Sequence, residues 1–209
     1  MVFIRVHLWL NLLWFHILNS EFRQMEERRK VIKAAVGAGL AAMLPEVARA
    51  QADPRNARPQ DGDRLVFAEG ERKGALIKLD ALPVGGPPVT AMPQDAASGT
   101  VRDGSRLNQI LLVRLDPARL TGDTQARAAQ GVVAYSAVCT HAGCDSFAWT
   151  PEKQMFKCPC HDSEFDPADA AKITGGPATR RLAALPLKIV NGVVAVAGPF
   201  TGRVGMIPT

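Results

Sequence analysis

Short apolar runs broken by turn residues dominate the chain from about residue 62 onwards. The clearest example is a pair of β-branched runs, Leu187–Val190 and Val193–Val196, joined by Asn191-Gly192. Asn-Gly between such runs predicts a two-residue β-hairpin, because a type I′ turn needs positive φ at both central residues. Further runs of strand type are Arg64–Ala68, Ala75–Leu79, Gln109–Leu115, Val132–Val138 and Met155–Lys157. The pattern predicts one all-β domain, a small sandwich or barrel, over residues 62–209.

Composition agrees with many short strands rather than a bundle of helices. The chain has 209 residues, of which only 6% are aromatic, with 18 glycines and 15 prolines. Glycine and proline favour turns between short elements. Residues 116–130 predict a short helix or two turns. The length suits one domain and excludes an enzyme with two full domains around a cleft.

Residues 1–50 predict an export leader. Arg28-Arg29 begins a basic region, an Ala- and Gly-rich stretch runs from Ala34 to Leu44, and Ala48-Arg49-Ala50 offers a cleavage site. This order resembles a twin-arginine (Tat) signal, which carries folded proteins across a bacterial membrane. One alternative is a basic amphipathic helix that belongs to the fold. Another is retention as an anchor, although eleven helical residues cover about 17 Å of a hydrocarbon core of about 30 Å.

Two segments flank this signal. Residues 1–24 are mostly apolar but contain Arg5, His7 and His16, and they precede the position at which such a signal normally begins. They represent either an over-extended start or a genuine interfacial or spanning segment. Residues 51–61 are polar, contain proline and lack periodicity, which is typical of a linker.

The basic character of the chain lies partly in the leader. The whole sequence has 25 Lys and Arg against 20 Asp and Glu, a formal net charge of +5. Residues 1–50 contribute seven against four, and residues 51–209 contribute 18 against 16. No basic run with interleaved aromatic residues occurs, so the sequence does not predict a nucleic-acid interface.

All four cysteines fall in two short clusters, each with one histidine. The first is Cys139-Thr140-His141-Ala142-Gly143-Cys144 and the second is Cys158-Pro159-Cys160-His161-Asp162-Ser163. Two thiolates and two imidazoles can bind zinc tetrahedrally, or a [2Fe–2S] cluster with two cysteines on one iron and two histidines on the other. Two unrelated disulfides are a third possibility, but they leave both histidines unexplained.

The two clusters together resemble the Rieske iron–sulfur signature, in the form found in Rieske proteins of cytochrome bc complexes. The resemblance implies one [2Fe–2S] cluster with four ligands and a disulfide between Cys144 and Cys160. It also implies an antiparallel β-sandwich or barrel with a cluster-binding subdomain of two loops. Gly175-Gly176-Pro177-Ala178 resembles the loop that covers the cluster in that family. The implied ligands are Cys139, His141, Cys158 and His161.

Other positions near the motifs bear on the redox potential. Two imidazoles in place of two thiolates make the cluster less negative and raise its potential, to roughly −150 to +300 mV. Ser163 matches a family serine that bonds a bridging sulfide, whereas Phe165 stands where high-potential members have a tyrosine. The missing hydroxyl predicts a lower potential than in members that have both donors.

Two departures from the family pattern concern docking of quinol. Ala142 replaces a leucine that shields the cluster in cytochrome bc proteins, and Asp162 replaces a glycine. Neither affects the implied ligands. Quinol oxidation releases an electron and a proton together, which suits imidazole ligands that can take up a proton on reduction.

The resemblance implies one-electron transfer by a subunit that catalyses nothing alone. The first hypothesis is the iron–sulfur subunit of a quinol:cytochrome c oxidoreductase, with cytochrome b and cytochrome c type partners and membrane association through the complex or the leader. The alternative is the small subunit of a periplasmic molybdenum oxidoreductase similar to arsenite oxidase. Both place the chain in the periplasm or at the periplasmic face of the inner membrane. A Rieske oxygenase is excluded, since after the leader no histidine remains beyond His141 and His161.

Overall fold

The computed structural model describes residues 53–206. The leader, its Tat-type signal, residues 51–52 of the predicted linker and the last three residues lie outside the described range. Within residues 53–206 no helix is long and apolar enough to cross a membrane.

Strands account for most of the regular structure. Within residues 53–206, one α-helix of a single turn, α1 (Gly122–Gln125), and several 3-10 turns complete it. The strands are β1 (Arg64–Phe67), β2 (Val89–Gln94), β3 (Ile110–Arg114), β4 (Val132–Ser136), β5 (Ala148–Thr150), β6 (Met155–Cys158), β7 (Ser163–Asp166), β8 (Lys172–Gly175), β9 (Leu187–Val190) and β10 (Val193–Val196).

Six strands form an antiparallel sheet in the order β4-β3-β2-β1-β10-β9. The sheet curls until its edges approach, because the residues just before β9 pair with β4. The Ser136 amide donates to the Ala183 carbonyl, and the Leu185 amide donates to the Ala134 carbonyl. These bonds close the sheet into a small barrel and leave fewer exposed strand edges.

The second sheet has the order β5-β6-β7-β8 and is inserted between β4 and β9. It carries two of the three loops that form the candidate site. The predicted antiparallel all-β domain with a separate loop-bearing subdomain is therefore confirmed.

Strands β3 and β4 are buried on both faces, which explains their nearly continuous apolar sequences. Their side chains alternate between two cores. Ile110 and Val132 point into the barrel. Leu111 and Tyr135 point the other way, and they pack against Phe156 and Phe165 of the second sheet. A shift of one residue in register would exchange the two sets, so this pairing is strongly specified.

The sequence-derived elements differ from the structure in some places. The hairpin at Asn191-Gly192 is present, with φ values of 51° and 76° at its two central residues. The run Ala75–Leu79 forms only isolated bridges at Leu76 and Lys78, because a 3-10 turn begins at Leu79. Residues 116–130 form a 3-10 turn and α1, as predicted.

Residues 53–61, which the sequence suggests are part of a linker, lie against the domain. Arg102 holds them there, and its guanidinium is 5% exposed. It binds Asp63 through two nitrogens, at 2.7 and 2.9 Å, and also donates to Asp95 and to the Pro54 carbonyl. One buried cation thus joins the N-terminal segment, the start of β1 and the turn after β2.

The chain's single tyrosine, Tyr135, links the two sheets. Its hydroxyl donates to the Pro167 carbonyl at 2.8 Å, and burial raises its pKa to about 12. The unfolded value is about 10, so burial of the neutral phenol contributes stability below pH 10 that is lost as pH rises towards 12. Two pK units correspond to about 3 kcal/mol.

We therefore expect the thermal midpoint to fall between pH 10 and pH 12 and a native absorbance titration at 295 nm to be centred near pH 12. The Tyr135→Phe variant serves as the control, because it lacks the titrating group. It should be about 1–2 kcal/mol less stable at neutral pH, since the Pro167 carbonyl loses its donor. A native titration centred near pH 10 would contradict the burial of the phenol.

Candidate functional site

The first loop, Cys139–Cys144, begins three residues after the end of β4. Alternation along that strand places Tyr135, Ala137 and Cys139 on the same face, towards the second sheet. The loop closes on itself, because the Cys139 amide donates to the Cys144 carbonyl at 2.7 Å and the Gly143 amide donates to the Cys139 carbonyl at 3.0 Å. Gly143 has a φ of 77°, a conformation that favours glycine.

The second loop is the tip of the β6–β7 hairpin. Cys158 pairs with Ser163 across the two strands, and residues 159–162 form the connection. Asp162 has a φ of 58°, in the left-handed region that glycine adopts most easily and aspartate tolerates. Its carboxylate lies 2.9 Å from the Lys157 ammonium. Glycine would adopt this conformation at a lower cost than aspartate.

A disulfide between Cys144 and Cys160 joins the two loops, with the Cα atoms 6.7 Å apart. The Sγ atoms of Cys144, Cys158 and Cys160 all lie within 4.8 Å of one another. Because two of these sulfurs are bonded to each other, the thiols left for a metal are those of Cys139 and Cys158, both buried.

The two histidines meet at the outer side of the same loops. Their ring centroids are 4.7 Å apart and the rings are nearly perpendicular, at 84°. His161 is exposed and His141 is half-buried. The His141 Nδ1 atom is buried and has no hydrogen-bond partner in the described part of the chain. A buried nitrogen of this kind costs free energy unless something binds it, and a metal ion satisfies that requirement.

The two buried thiols also fit a cationic ligand. Burial raises the pKa of the Cys158 thiol, and the neighbouring Cys139 thiol raises it further. Two thiolates beside each other in apolar surroundings need a positive charge to stabilise them. Two thiols and two imidazoles therefore fit an iron–sulfur centre of mixed ligation, although the same donor types also suit zinc.

A third loop, following β8, lies on the second loop. A Cβ on Gly176 would come within 2.5 Å of the Asp162 carbonyl oxygen and of the Ser163 Cα, so only glycine permits this approach. The Ser163 hydroxyl, fully buried, accepts a hydrogen bond from the Ala178 amide at 3.1 Å. Within residues 53–206 its own hydrogen has no protein acceptor, which leaves it available to a bound group. Pro177 is exposed beside it.

The remaining predicted positions differ in burial. Phe165 is fully buried in the same core as Cys139 and Cys158, with its ring 6.1 Å from that of Phe147. Ala142 is exposed between His141 and Gly143. Phe165 is thus enclosed by aromatic rings, whereas Ala142 presents only a methyl group to solvent.

Two further contacts hold the first loop and were not predicted from the sequence. The Arg106 guanidinium donates to the Gly143 carbonyl at 2.6 Å, and the Thr140 hydroxyl donates to the Arg180 carbonyl at 2.6 Å. Arg106 lies in the 3-10 turn before β3, far from the loop in sequence. No local pattern predicts either contact, so only the fold brings these two arginines to the first loop.

Comparison with known families gives a match over the middle of the chain. Residues 94–186 match the model of the Rieske [2Fe–2S] domain. This range includes both cysteine clusters, the third loop and strands β3 to β8.

Curated relatives match part of this chain. A provisionally named respiratory nitrate reductase Rieske subunit from Haloferax mediterranei is 45% identical over 76 residues, which are 36% of this chain and 34% of that protein. The cytochrome bc1 complex Rieske iron-sulfur subunit of Streptomyces lividans is 34% identical over 98 residues, 46% of this chain and 58% of that protein. The match thus spans between about a third and three-fifths of these relatives.

Among solved structures, the ferredoxin of carbazole 1,9a-dioxygenase from Nocardioides aromaticivorans IC177 covers 59% of this chain and 94% of its own. The TM-score is 0.39 at 21% identity.

Proposed function

Since residues 94–186 form a Rieske [2Fe–2S] domain, we propose that the protein is a one-electron carrier within an oxidoreductase complex. The observation that carries this proposal is that two loops bring together two buried thiols and two facing histidines. One of these histidines has a buried nitrogen without a partner among residues 53–206. A [2Fe–2S] cluster, when bound, supplies a centre that accepts and releases one electron.

Four side chains would hold the cluster: Cys139 and Cys158 on the buried side, and His141 and His161 on the outer side. The aromatic core around the cysteines, with Phe156 and Phe165 fully buried, excludes water from that side. The exposed imidazole of His161 leaves the other side open to a partner. The chain thus insulates one face of the site and presents the opposite face for electron exchange.

Two partner complexes remain candidates. Relatives named as subunits of cytochrome bc1 complexes support a quinol:cytochrome c oxidoreductase, with cytochrome b and cytochrome c type partners and quinol as substrate. The relative named as a nitrate reductase subunit supports a small subunit beside a molybdenum protein. The exposed Ala142 favours the second, because a methyl group buries little apolar surface in a quinol pocket.

The proposed location is the periplasm, or the periplasmic face of the inner membrane, after Tat export. A disulfide between the cluster loops suits an oxidising compartment. In this proposal residues 1–50 are the leader, residues 51–61 connect it, and residues 62–209 are the Rieske domain.

The composition of the native complex tests the proposal. A C-terminally tagged copy is purified from its host and assayed for iron, labile sulfide, haem b, haem c and molybdenum. About two irons and two sulfides per chain support the cluster. Haem b with haem c in the membrane fraction favours the quinol-oxidising complex, and molybdenum without haem b favours the alternative. One zinc without sulfide would contradict electron transfer altogether.

The aromatic ring of Phe165 gives a prediction on the redox potential. A Phe165→Tyr variant is expected to have a higher midpoint potential, because an added hydroxyl donates towards a cysteine sulfur and favours the reduced cluster. A hydrogen bond of about 1 kcal/mol corresponds to a rise of about 40 mV for one electron. The measurement is a redox titration followed by EPR.

Phe147→Tyr is the matched control, since its ring packs on Phe165 but is only partly buried. It should leave the potential within about 10 mV of the wild type. An unchanged potential in Phe165→Tyr, with the cluster intact, would contradict the assignment of this position.

A further inference from the structure

A groove beside the first loop has an unbalanced charge. Its volume is about 510 Å³, and three of its lining residues are arginines, Arg58, Arg106 and Arg203. No acidic residue of the described chain lines it. The rest of the lining is largely apolar and includes Leu107, Val138, Phe200 and Met206. We call this feature the arginine groove.

The three arginines have no carboxylate partners among residues 53–206. Arg58 donates to the Leu107 carbonyl at 2.9 Å and Arg106 to the Gly143 carbonyl. Among the described residues, both keep further guanidinium hydrogens free. Over residues 51–209 basic and acidic side chains nearly balance, at 18 against 16. The concentration of unpaired cations here is therefore local.

The arginine groove adjoins the first loop of the site. A Cβ on Gly143 would lie 3.5 Å from both an Arg106 nitrogen and the Met206 sulfur, so two groove residues pack against that glycine. A partner held in the groove would thus contact the loop that carries Cys139 and His141. A second shallow groove shares Arg203 and adds Arg127, Arg180 and Arg181, although Asp123 also lines it.

We propose that the arginine groove binds an acidic polypeptide segment of the redox partner and so brings that partner beside the first loop. This inference rests on the proposed function. Guanidinium groups match the planar geometry of carboxylates, and the apolar lining favours a polypeptide over small inorganic anions. Complementary charge mainly accelerates association and selects the partner.

The test uses the full chain with its cluster and a fluorescein-labelled hexaglutamate peptide, followed by fluorescence anisotropy at low ionic strength. The Arg58→Gln, Arg203→Gln double variant is expected to lose about tenfold in affinity, because two carboxylate pairs disappear. Arg106 is left unchanged, since it holds the Gly143 carbonyl. Binding by the wild type should weaken steeply with added salt.

The matched control is Arg72→Gln, Arg119→Gln, which removes the same charge from two exposed arginines outside the groove. It should bind within about twofold of the wild type. Equal losses in both double variants, or no loss in either, would overturn the proposal. Binding to phosphatidylglycerol vesicles without binding to hexaglutamate would also overturn it, in favour of a membrane surface.

Iron content and the EPR signal are recorded for every sample. A chain without iron and sulfide would contradict the proposed function whatever the peptide result. A chain with its cluster intact but with no loss in the groove variant would contradict the docking proposal alone.

Discussion

A Cys158→Ser variant is expected to bind neither iron nor labile sulfide. Cys158 and Cys139 are the two thiols that the disulfide leaves free, and both are buried. Serine removes a thiolate ligand and places a hydroxyl in an apolar core. The site therefore loses a negative charge that balances the iron, and its affinity for the cluster falls. Iron and sulfide assays on the purified chain should fall from about two of each to background, and the EPR signal should disappear.

The Cys144→Ser, Cys160→Ser double variant separates a ligand role from general damage to the loops. It removes the disulfide but leaves Cys139, Cys158 and both histidines in place. We expect it to retain iron and sulfide while losing about 3 kcal/mol of stability, because the disulfide closes a loop with a sequence separation of 16. The ligand assignment would be contradicted if Cys158→Ser retained its iron and sulfide in full. It would also be contradicted if both variants failed to the same extent to acquire iron and sulfide.

Removal of the buried guanidinium of Arg102 is expected to be the most damaging change away from the site. In Arg102→Ala the Asp63 carboxylate, 3% exposed, is left buried without its partner. Breaking a buried pair in this way costs about 3–5 kcal/mol. For a domain of this size the thermal midpoint should fall by on the order of 10 °C. Thermal unfolding followed by circular dichroism gives the measurement.

The control is the exposed ion pair between Lys188 and Asp61, at 2.6 Å. Lys188→Ala should change stability by no more than about 1 kcal/mol, because water screens exposed charges. The Asp63→Ala, Arg102→Ala double variant should lose less than the sum of the two single changes. Equal midpoints for Arg102→Ala and Lys188→Ala would show that the buried pair does not hold the N-terminal segment.

The local features of this protein could be predicted because they depend on near neighbours in the chain. Asn191-Gly192 specifies its own turn, and the apolar runs of β3 and β4 specify strands. The four cysteines and two histidines lie within 23 residues, so their spacing favours a metal centre over two unrelated disulfides, which would leave both histidines unexplained. Strands β2, β7 and β8 were harder to predict from the sequence, because they mix polar residues, proline or glycine with apolar ones.

Features that join distant parts of the chain were decided only by the tertiary structure. The sequence by itself determined an all-β domain and two loops with a Rieske-type donor set. The fold decided that β4 directs Cys139 into the core shared with Phe165, that only glycine at position 176 lets the third loop approach, and that Arg106 reaches Gly143. Hydrophobic periodicity and turn chemistry act over a few residues, whereas these contacts depend on how two sheets pack, and no short segment encodes that packing.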